Sequence, residues 1–416
     1  MPKILIIGGG GREHALAWKF SQAENTQVYA APGNAGMSAV AKCVNISEND
    51  FDGLLNFAKE NAIDLTVVGP ETPLVHGIAD RFLAAGLPIF APTAAAAAIE
   101  GSKDFAKNLM QKYNIPTAKH RTFTDVAAAL DYVKNAPLPT VIKADGLAAG
   151  KGVIIAETSE QAQQAVESLF KLGDKLIVEE FLQGEEFSFI ALVHGETVYP
   201  LEISQDHKRA YDGDKGANTG GMGVYSPVPQ ISQATVQQAL TEILQPTAAA
   251  MVAENRPFTG FLYGGLIATA DGAKVIEFNA RLGDPETEVI LPRLQNNLFE
   301  VIMDILHEKP VKLAWKAETF VAVTLAACGY PGNIDNAKGA KIAGLQDLSA
   351  ETLVFHAGTA IADGEFTVNG GRVLFVAACG EDVQAAQTAV YGEVAKIQCD
   401  GLFYRRDIGW RAIVGK

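Results

Sequence analysis

The stretch "KADGLAAGKGV", residues 143–153, decides the fold. It resembles a Walker loop and is not one: only three residues separate Gly146 from Gly150, and Gly152 follows Lys151 where Ser or Thr is needed to bind magnesium. Apolar, β-branched runs lie on both sides, so the loop joins two strands instead of capping a helix. Its chemistry still suits a triphosphate. Backbone amides around Gly146 and Gly152 can fold over phosphates while Lys143 and Lys151 supply positive charge. A hairpin with solvated lysines is the bland alternative, although "GLAAGKG" is apolar and small for an exposed tip.

Toward the C-terminus, "EQAQQAVESLF" reads as a helix, and "IVEEFLQGEEFSF" (residues 177–189) as a strand, a break and a second strand. Such a connector can offer backbone groups to an adenine edge, an apolar wall to its face and a carboxylate to ribose hydroxyls; solvated acids at a turn fit it equally well. In "KVIEFNARLGDPETE" (residues 274–288), strand alternation puts Glu277 and Asn279 on one face and Phe278 on the other. Two hard oxygen ligands there suit magnesium, which completes its shell with water and nucleotide phosphate. A half-exposed strand alternates in the same way, but a second polar cluster, Arg281, Asp284 and Glu286, follows at once. The long loop "SQDHKRAYDGDKGANTGGMG" (residues 204–223) has too many charges, glycines and amides for a simple connector. Asp206, His207, Lys208 and Arg209 suit an amino acid or a phosphate, with a solvated charge run as the alternative. His207 has no partner at nucleophile or metal spacing, so a base role for it has weak support.

Toward the N-terminus, "KILIIGGGGREHALAW" (residues 3–18) reads as a buried strand, a glycine turn and a helix. Free N–H groups at the helix start favour a phosphate or carboxylate. The dinucleotide fingerprint fits only in part, because Glu13 or His14 stands at its third glycine and the second strand ends in "AAPGNAG" without an acid. A mononucleotide-like phosphate site fits better, and a tight structural turn is the remaining alternative. The strand candidates "KILIIG", "QVYAA", "LTVVG" and "LPIFAP" alternate with helical stretches, which predicts a doubly wound α/β domain. "PGN" (residues 32–34) and "GPET" (residues 69–72) then share a crevice with the glycine loop. The alanine run after Thr93 reads as a short helix, residues 102–131 as helical around a connector at 115–117, and the chain beyond 326 as short strands and turns without an internal repeat.

Composition narrows the partners. The 48 Asp and Glu against 34 Lys and Arg give a net charge of −14, which opposes attraction to nucleic acid and to anionic membrane and favours small-molecule partners. No stretch reaches the apolar length of a membrane span and the start lacks a signal-peptide pattern, so the cytoplasm is the expected location. A monomer is the expected state. Cys43, Cys328, Cys379 and Cys399 are far apart and read as reduced thiols.

In this order, "GGREHALAW", "APGNAG", "EGSK", "VIKADGLAAGKGV", "SQDHKR", "NTGGMG", "GDPE", "GYPG", "VFHAGT", "NGGRVL" and "DIGWRA" make the chain similar to the phosphoribosylamine–glycine ligases, or glycinamide ribonucleotide synthetases, from Lys3 to Ala412. The resemblance implies an α/β ATP-grasp fold. Its parts would be a doubly wound N-terminal domain that binds phosphoribosylamine (1–102), a helical connector (103–120), a small lid (121–190), a central ATP-grasp domain (191–325) and a C-terminal α+β domain (326–416). It assigns Lys103, Lys143, Gly146, Lys151, Gly152, Glu179, Leu182 and Glu186 to ATP, with Glu186 at the ribose, and Glu277 and Asn279 to Mg2+ or Mn2+. Gly10, Gly11, Arg12, Glu13, Asn34, Gly69 and Glu71 would hold the ribose phosphate of 5-phosphoribosylamine. Asp206, His207, Lys208, Asn218 and Arg281 would be further substrate contacts, with Lys143, Arg281 and Asp206 in catalysis. Unlike many ATP-grasp enzymes, the strand around residues 261–266 carries no further metal-binding acid, so a two-metal site ligated wholly by protein is not expected.

The implied reaction makes glycyl phosphate and ADP from glycine and ATP, and the amine of phosphoribosylamine then displaces phosphate to give glycinamide ribonucleotide, a step of de novo purine biosynthesis. Closure of "GLAAGKG" would shield the acyl phosphate from water. The rival within the superfamily is a purine-pathway carboxylase or formate-dependent transformylase. Outside it, a nicotinamide oxidoreductase and a non-catalytic nucleotide sensor stay open.

Overall fold

The structure, a computed structural model, describes residues 1–147 and 152–414. The chain forms two compact units, one of Met1–Ala91, Tyr199–Gln230 and Arg281–Lys416, the other of Pro92–Val198 and Ile231–Ala280.

The first unit begins with a parallel sheet of β1 (Lys3–Gly8), β2 (Gln27–Pro32), β3 (Lys42–Cys43), β4 (Leu65–Val68) and β5 (Ile89–Phe90), in the order β3-β2-β1-β4-β5. Ile4, Leu5, Ile6 and Ile7 are all fully buried, which is why β1 reads as a continuous apolar run without alternation. The direction of winding reverses at β1, so the crevice lies beyond the carboxyl ends of β1 and its neighbours β2 and β4. The glycine loop, Gly33 and Gly69 all sit at that edge. Four of the five strands were legible as apolar runs; β3 was not, because Lys42 and Cys43 are both exposed, whereas the equally short β5 is buried at both residues. An antiparallel second sheet joins Gln205–Asp206, Gly223–Ser226, Thr319–Ala327, Arg372–Gly380 and Leu353–His356 in that order.

Helix α1 (Gly11–Ser21) is pinned to this sheet by two histidines. His14 Nδ1 accepts a hydrogen bond from the His356 backbone N–H at 2.8 Å, so His14 carries its proton on Nε2, and His356 Nδ1 lies 3.1 Å from Thr359 Oγ1. Burial, with His356 close by, pushes His14 down to about 3, and burial pushes His356 down to about 4. Both rings are therefore neutral when folded, while the unfolded chain takes protons near pH 6.5. Their contribution to stability is complete above that pH and is lost as pH falls from 6.5 toward 4 for His356 and toward 3 for His14, by about 2 kcal/mol per ring at pH 5. Urea unfolding at pH 8 and pH 5 checks this. His356→Phe should lose about 2 kcal/mol less between the two pH values than the parent chain; an equal loss would show that His356 is not the group titrating.

The second unit contains an antiparallel sheet ordered His120–Phe123, Leu176–Glu180, Thr140–Ala144 and Val153–Ala156. Helices Val126–Val133 and Ser159–Leu169 close its core over Ile142, Ala144, Leu176 and Val178. The helical reading of residues 102–131 is corrected here: helix Lys103–Lys112 is followed by strand His120–Phe123 before the next helix. That strand has only four residues, and its hydrogen bonds come from Leu176–Glu180, far along the chain. The other sheet pairs Glu185–His194 with Thr259–Thr269, and the latter with Gly272–Asn279. Among the described residues no helix is long and apolar enough to cross a membrane.

Candidate active site

In the second unit three lysines gather around one carboxylate and one strand end. Glu179 Oε2 pairs with Lys107 Nζ at 2.9 Å and with Lys143 Nζ at 3.1 Å, and all three side chains are nearly inaccessible. Burial pushes the Glu179 carboxyl up, but the ammonium groups of Lys143 and Lys107 outweigh it and hold the carboxyl below its usual range. Burial lowers Lys107 to about 8, against the pull of Glu179. Glu179 Oε1 is buried and accepts no hydrogen bond among the described residues. Lys103 opens helix Lys103–Lys112 behind its Ser102 cap and donates to the Gly146 carbonyl at 2.8 Å. Burial lowers its pKa, with Glu277 acting in the opposite direction.

Lys143 also donates to the Ile276 carbonyl at 3.1 Å, at an irregularity that sets the metal-ligand candidates. Gly265 pairs with Glu277 and Leu266 with Val275, so Ile276 is an extra residue, a β-bulge. Strict alternation would place Glu277 on the buried face of Val275. The bulge shifts the phase, so Phe278 is buried while Glu277 and Asn279 are half-exposed together. Opposite them, a Cβ on Gly265 would lie 3.2 Å from Glu277 Cγ, and the glycine leaves the carboxylate room. Among the described residues no three His, Cys, Asp or Glu groups cluster as a metal site. The donor set is thus one carboxylate and one amide oxygen, which fits a magnesium-like cation whose remaining ligands come from phosphate and water.

Leu182 is half-buried in the connector between Leu176–Glu180 and Glu185–His194, Glu186 is exposed as the second residue of the latter strand, and Gly152 immediately precedes Val153–Ala156. Lys151 and the rest of residues 148–151, the segment of the expected loop closure, lie outside the described residues.

In the first unit the glycine loop closes on its own helix. Glu13 is 2 % exposed, accepts from the Gly10 N–H and receives Arg12 Nε at 2.7 Å. A Cβ on Gly69 would lie 1.8 Å from Glu13 Oε1, so this glycine is required by the buried carboxylate beneath the loop. Arg12 reaches Glu71 Oε2 at 3.5 Å, and Arg281 Nε reaches the same oxygen at 3.4 Å. Although burial opposes it, Arg281 and Arg12 hold the Glu71 carboxyl below its usual range. Burial opposes the charge of Arg12 as well, and Glu13, Asp284 and Glu71 more than compensate. Gly10, Gly11, Arg12, Glu13, Gly69, Glu71 and Arg281 therefore form one constellation. Asn34 supports it from below: Nδ2 donates to the Gly9 and His356 carbonyls at 2.9 and 2.7 Å, and Oδ1 accepts from Gly36 and Met37.

The long loop divides. Asp206 and Lys208 are half-buried and Asn218 is exposed in the hairpin strand Lys215–Asn218. His207 turns inward: it is 1 % exposed, its Nε2 accepts from the Gly409 N–H at 3.2 Å, and burial with Arg405 nearby lowers it to about 3. A neutral, enclosed ring of this kind braces the loop.

Three family models, described as the N domain, ATP-grasp (A) domain and C domain of phosphoribosylglycinamide synthetase, match residues 2–100, 101–287 and 320–411. A phosphoribosylamine–glycine ligase of Halalkalibacterium halodurans is 55% identical over 99% of this chain and 97% of that protein. The chain belongs to the phosphoribosylglycinamide synthetase family. A Listeria monocytogenes phosphoribosylamine–glycine ligase is 51% identical over 98% of this chain and 99% of its own length. The crystal structure of phosphoribosylamine–glycine ligase from Thermotoga maritima superposes with a TM-score of 0.84 at 33% identity, covering 98% of this chain and 100% of that one. The biotin carboxylase domain of Hydrogenobacter thermophilus 2-oxoglutarate carboxylase, at 15% identity, 97% and 92% coverage and a TM-score of 0.73, shares the fold.

Two side chains of these clusters were missed in the sequence. Lys107 stands four residues after Lys103 on one helix, a spacing that could have found it. Arg372 lies within the quoted "NGGRVL", but no spacing points to its partners, which lie 88 and 152 residues away.

Proposed function

We propose that this chain ligates glycine to 5-phosphoribosylamine, forming glycinamide ribonucleotide, ADP and phosphate through glycyl phosphate. It is an ADP-forming carboxylate–amine ligase of purine biosynthesis. The observation that carries this reading is the 55% identity to a phosphoribosylamine–glycine ligase along essentially the whole chain.

A glycine carboxylate oxygen attacks the γ-phosphorus of ATP and the bond to ADP breaks. The amine then attacks the acyl carbon, phosphate leaves, and the nitrogen loses its proton. No protein nucleophile is needed, so the chain contributes position and charge. Lys103, Lys143, Gly146, Lys151, Gly152, Glu179, Leu182 and Glu186 take ATP. The open Glu179 Oε1 supports a hydrogen-bond donor arriving there. Glu277 and Asn279 would hold Mg2+ or Mn2+, which supplies neutralising charge on phosphate oxygens when bound.

Gly10, Gly11 and Arg12 take the phosphate of the sugar phosphate and the Glu71 carboxylate its hydroxyls, with Glu13 and Asn34 fixing the loop's shape. Asp206, Lys208, Asn218 and Arg281 complete the substrate contacts. The five-part division at 102, 120, 190 and 325, a monomeric state and a cytoplasmic location belong to the same proposal.

A coupled ADP assay with freshly generated phosphoribosylamine tests it. ADP should appear only with glycine, ATP and phosphoribosylamine together. Phosphate release that persists without glycine and depends on bicarbonate or formate would assign the chain to the rival carboxylases or transformylases.

A further inference from the structure

Arg372 is the first residue of strand Arg372–Gly380, more than eighty residues from the GDPE segment, yet its guanidinium is committed to that segment. Nη1 donates to the Asp284 carbonyl at 2.7 Å and to the Gly220 carbonyl at 2.7 Å, and Nη2 pairs with Asp284 Oδ1 at 3.0 Å. Gly220 is gripped from its other side, since its N–H donates to the Tyr330 hydroxyl at 2.9 Å. One planar fork thus ties together the NTGGMG loop and the GDPE turn. A lysine, with a single nitrogen, cannot reproduce that geometry.

The other Asp284 oxygen faces the glycine loop: a Cβ on Gly10 would lie 3.5 Å from Oδ2. Asp284 is only 9% exposed and also interacts with the charge of Arg12. A carboxylate beside the N-terminus of α1 opposes a bound phosphate unless it is held in one place and turned to another part of the ligand. The amine and hydroxyls of an amino sugar phosphate are the groups a carboxylate accepts from. Arg372 supplies both the counter-charge and the fixed orientation.

We propose that Arg372 is a positioning residue for phosphoribosylamine, holding Asp284 at the mouth of the glycine loop to receive the amine- and hydroxyl-bearing end of the substrate. This rests on the placement of the sugar phosphate at that loop. The test is steady-state kinetics of the full chain with each substrate varied, for Arg372→Ala, Arg372→Lys and Arg12→Ala, together with thermal melting.

Arg372→Ala should raise KM for phosphoribosylamine about tenfold or more and leave KM for ATP and glycine within about twofold. Arg372→Lys should fall between it and the parent. Equal weakening of all three substrates, or a lowered melting temperature with an unchanged KM for phosphoribosylamine, would make Arg372 merely structural and overturn the proposal. If Arg372→Ala does not accumulate as folded protein, Arg372→Lys decides alone, and a parental KM overturns the proposal. Arg12→Ala separates the two levels. If it raises KM for phosphoribosylamine and the Arg372 variants do not, only the role of Arg372 fails; if none does, the placement at the glycine loop fails.

Discussion

Glu277→Gln should lower turnover by roughly a hundredfold or more, about 2.7 kcal/mol of barrier, while the chain stays folded. The substitution keeps size and strand fit and removes the one negative charge of the Glu277–Asn279 pair. Because Gly265 opposite leaves the carboxylate free of crowding, the amide finds the same space and the strand is not strained. The loss therefore falls on cation affinity and on neutralisation of the transferring phosphoryl group. Turnover measured across magnesium concentrations, with Mn2+ binding titrated separately, checks both parts. Phe278→Gln is the matched control: its side chain is 3% exposed on the opposite face, so it should chiefly lower stability. Near-parental turnover of Glu277→Gln at limiting magnesium, with unchanged metal dependence, would make the strand end structural.

Glu179→Ala should destabilise the ATP-grasp domain strongly, by about 3–5 kcal/mol in urea unfolding. Its carboxylate is the shared counter-charge of Lys107 and Lys143, whose side chains are 3% and 6% exposed, and removing it strands two ammonium groups away from water. Activity should fall as well, because Lys143 then keeps only the Ile276 carbonyl of its two partners. A double-mutant cycle distinguishes this from simple loss of packing. Lys107→Met combined with Glu179→Gln should cost clearly less than the two single changes added together, since the double variant leaves one cation where the Glu179 variant leaves two. A loss below about 1 kcal/mol for Glu179→Ala would mean that water reaches the lysines, as at an exposed pair.

Much of the fold and of the site was legible because the relevant physics is local. Four parallel strands show as apolar runs, the glycine loop and "GPET" follow strands directly, and the departure of residues 143–153 from a Walker loop appears in two positions. Two short strands were not legible: Lys42–Cys43, exposed at both residues, and His120–Phe123, which borrows its hydrogen bonds from distant Leu176–Glu180.

Glu277 and Asn279 show where the division lies. Their identities and their two-residue spacing name a candidate pair of oxygen ligands, and that much follows from sequence alone. Whether the pair faces the site depends on the bulge at Ile276, since an unbroken strand would turn it toward the buried side of Val275. No local pattern encodes that register shift, because it depends on pairing with Thr259–Thr269 and on Lys143 binding the Ile276 carbonyl. The same holds for Glu13, Glu179 and Arg372. Sequence determines that each is charged, but only the tertiary structure decides whether the charge meets solvent, a substrate or a buried partner, because Coulomb energy and desolvation depend on distance in space and not along the chain.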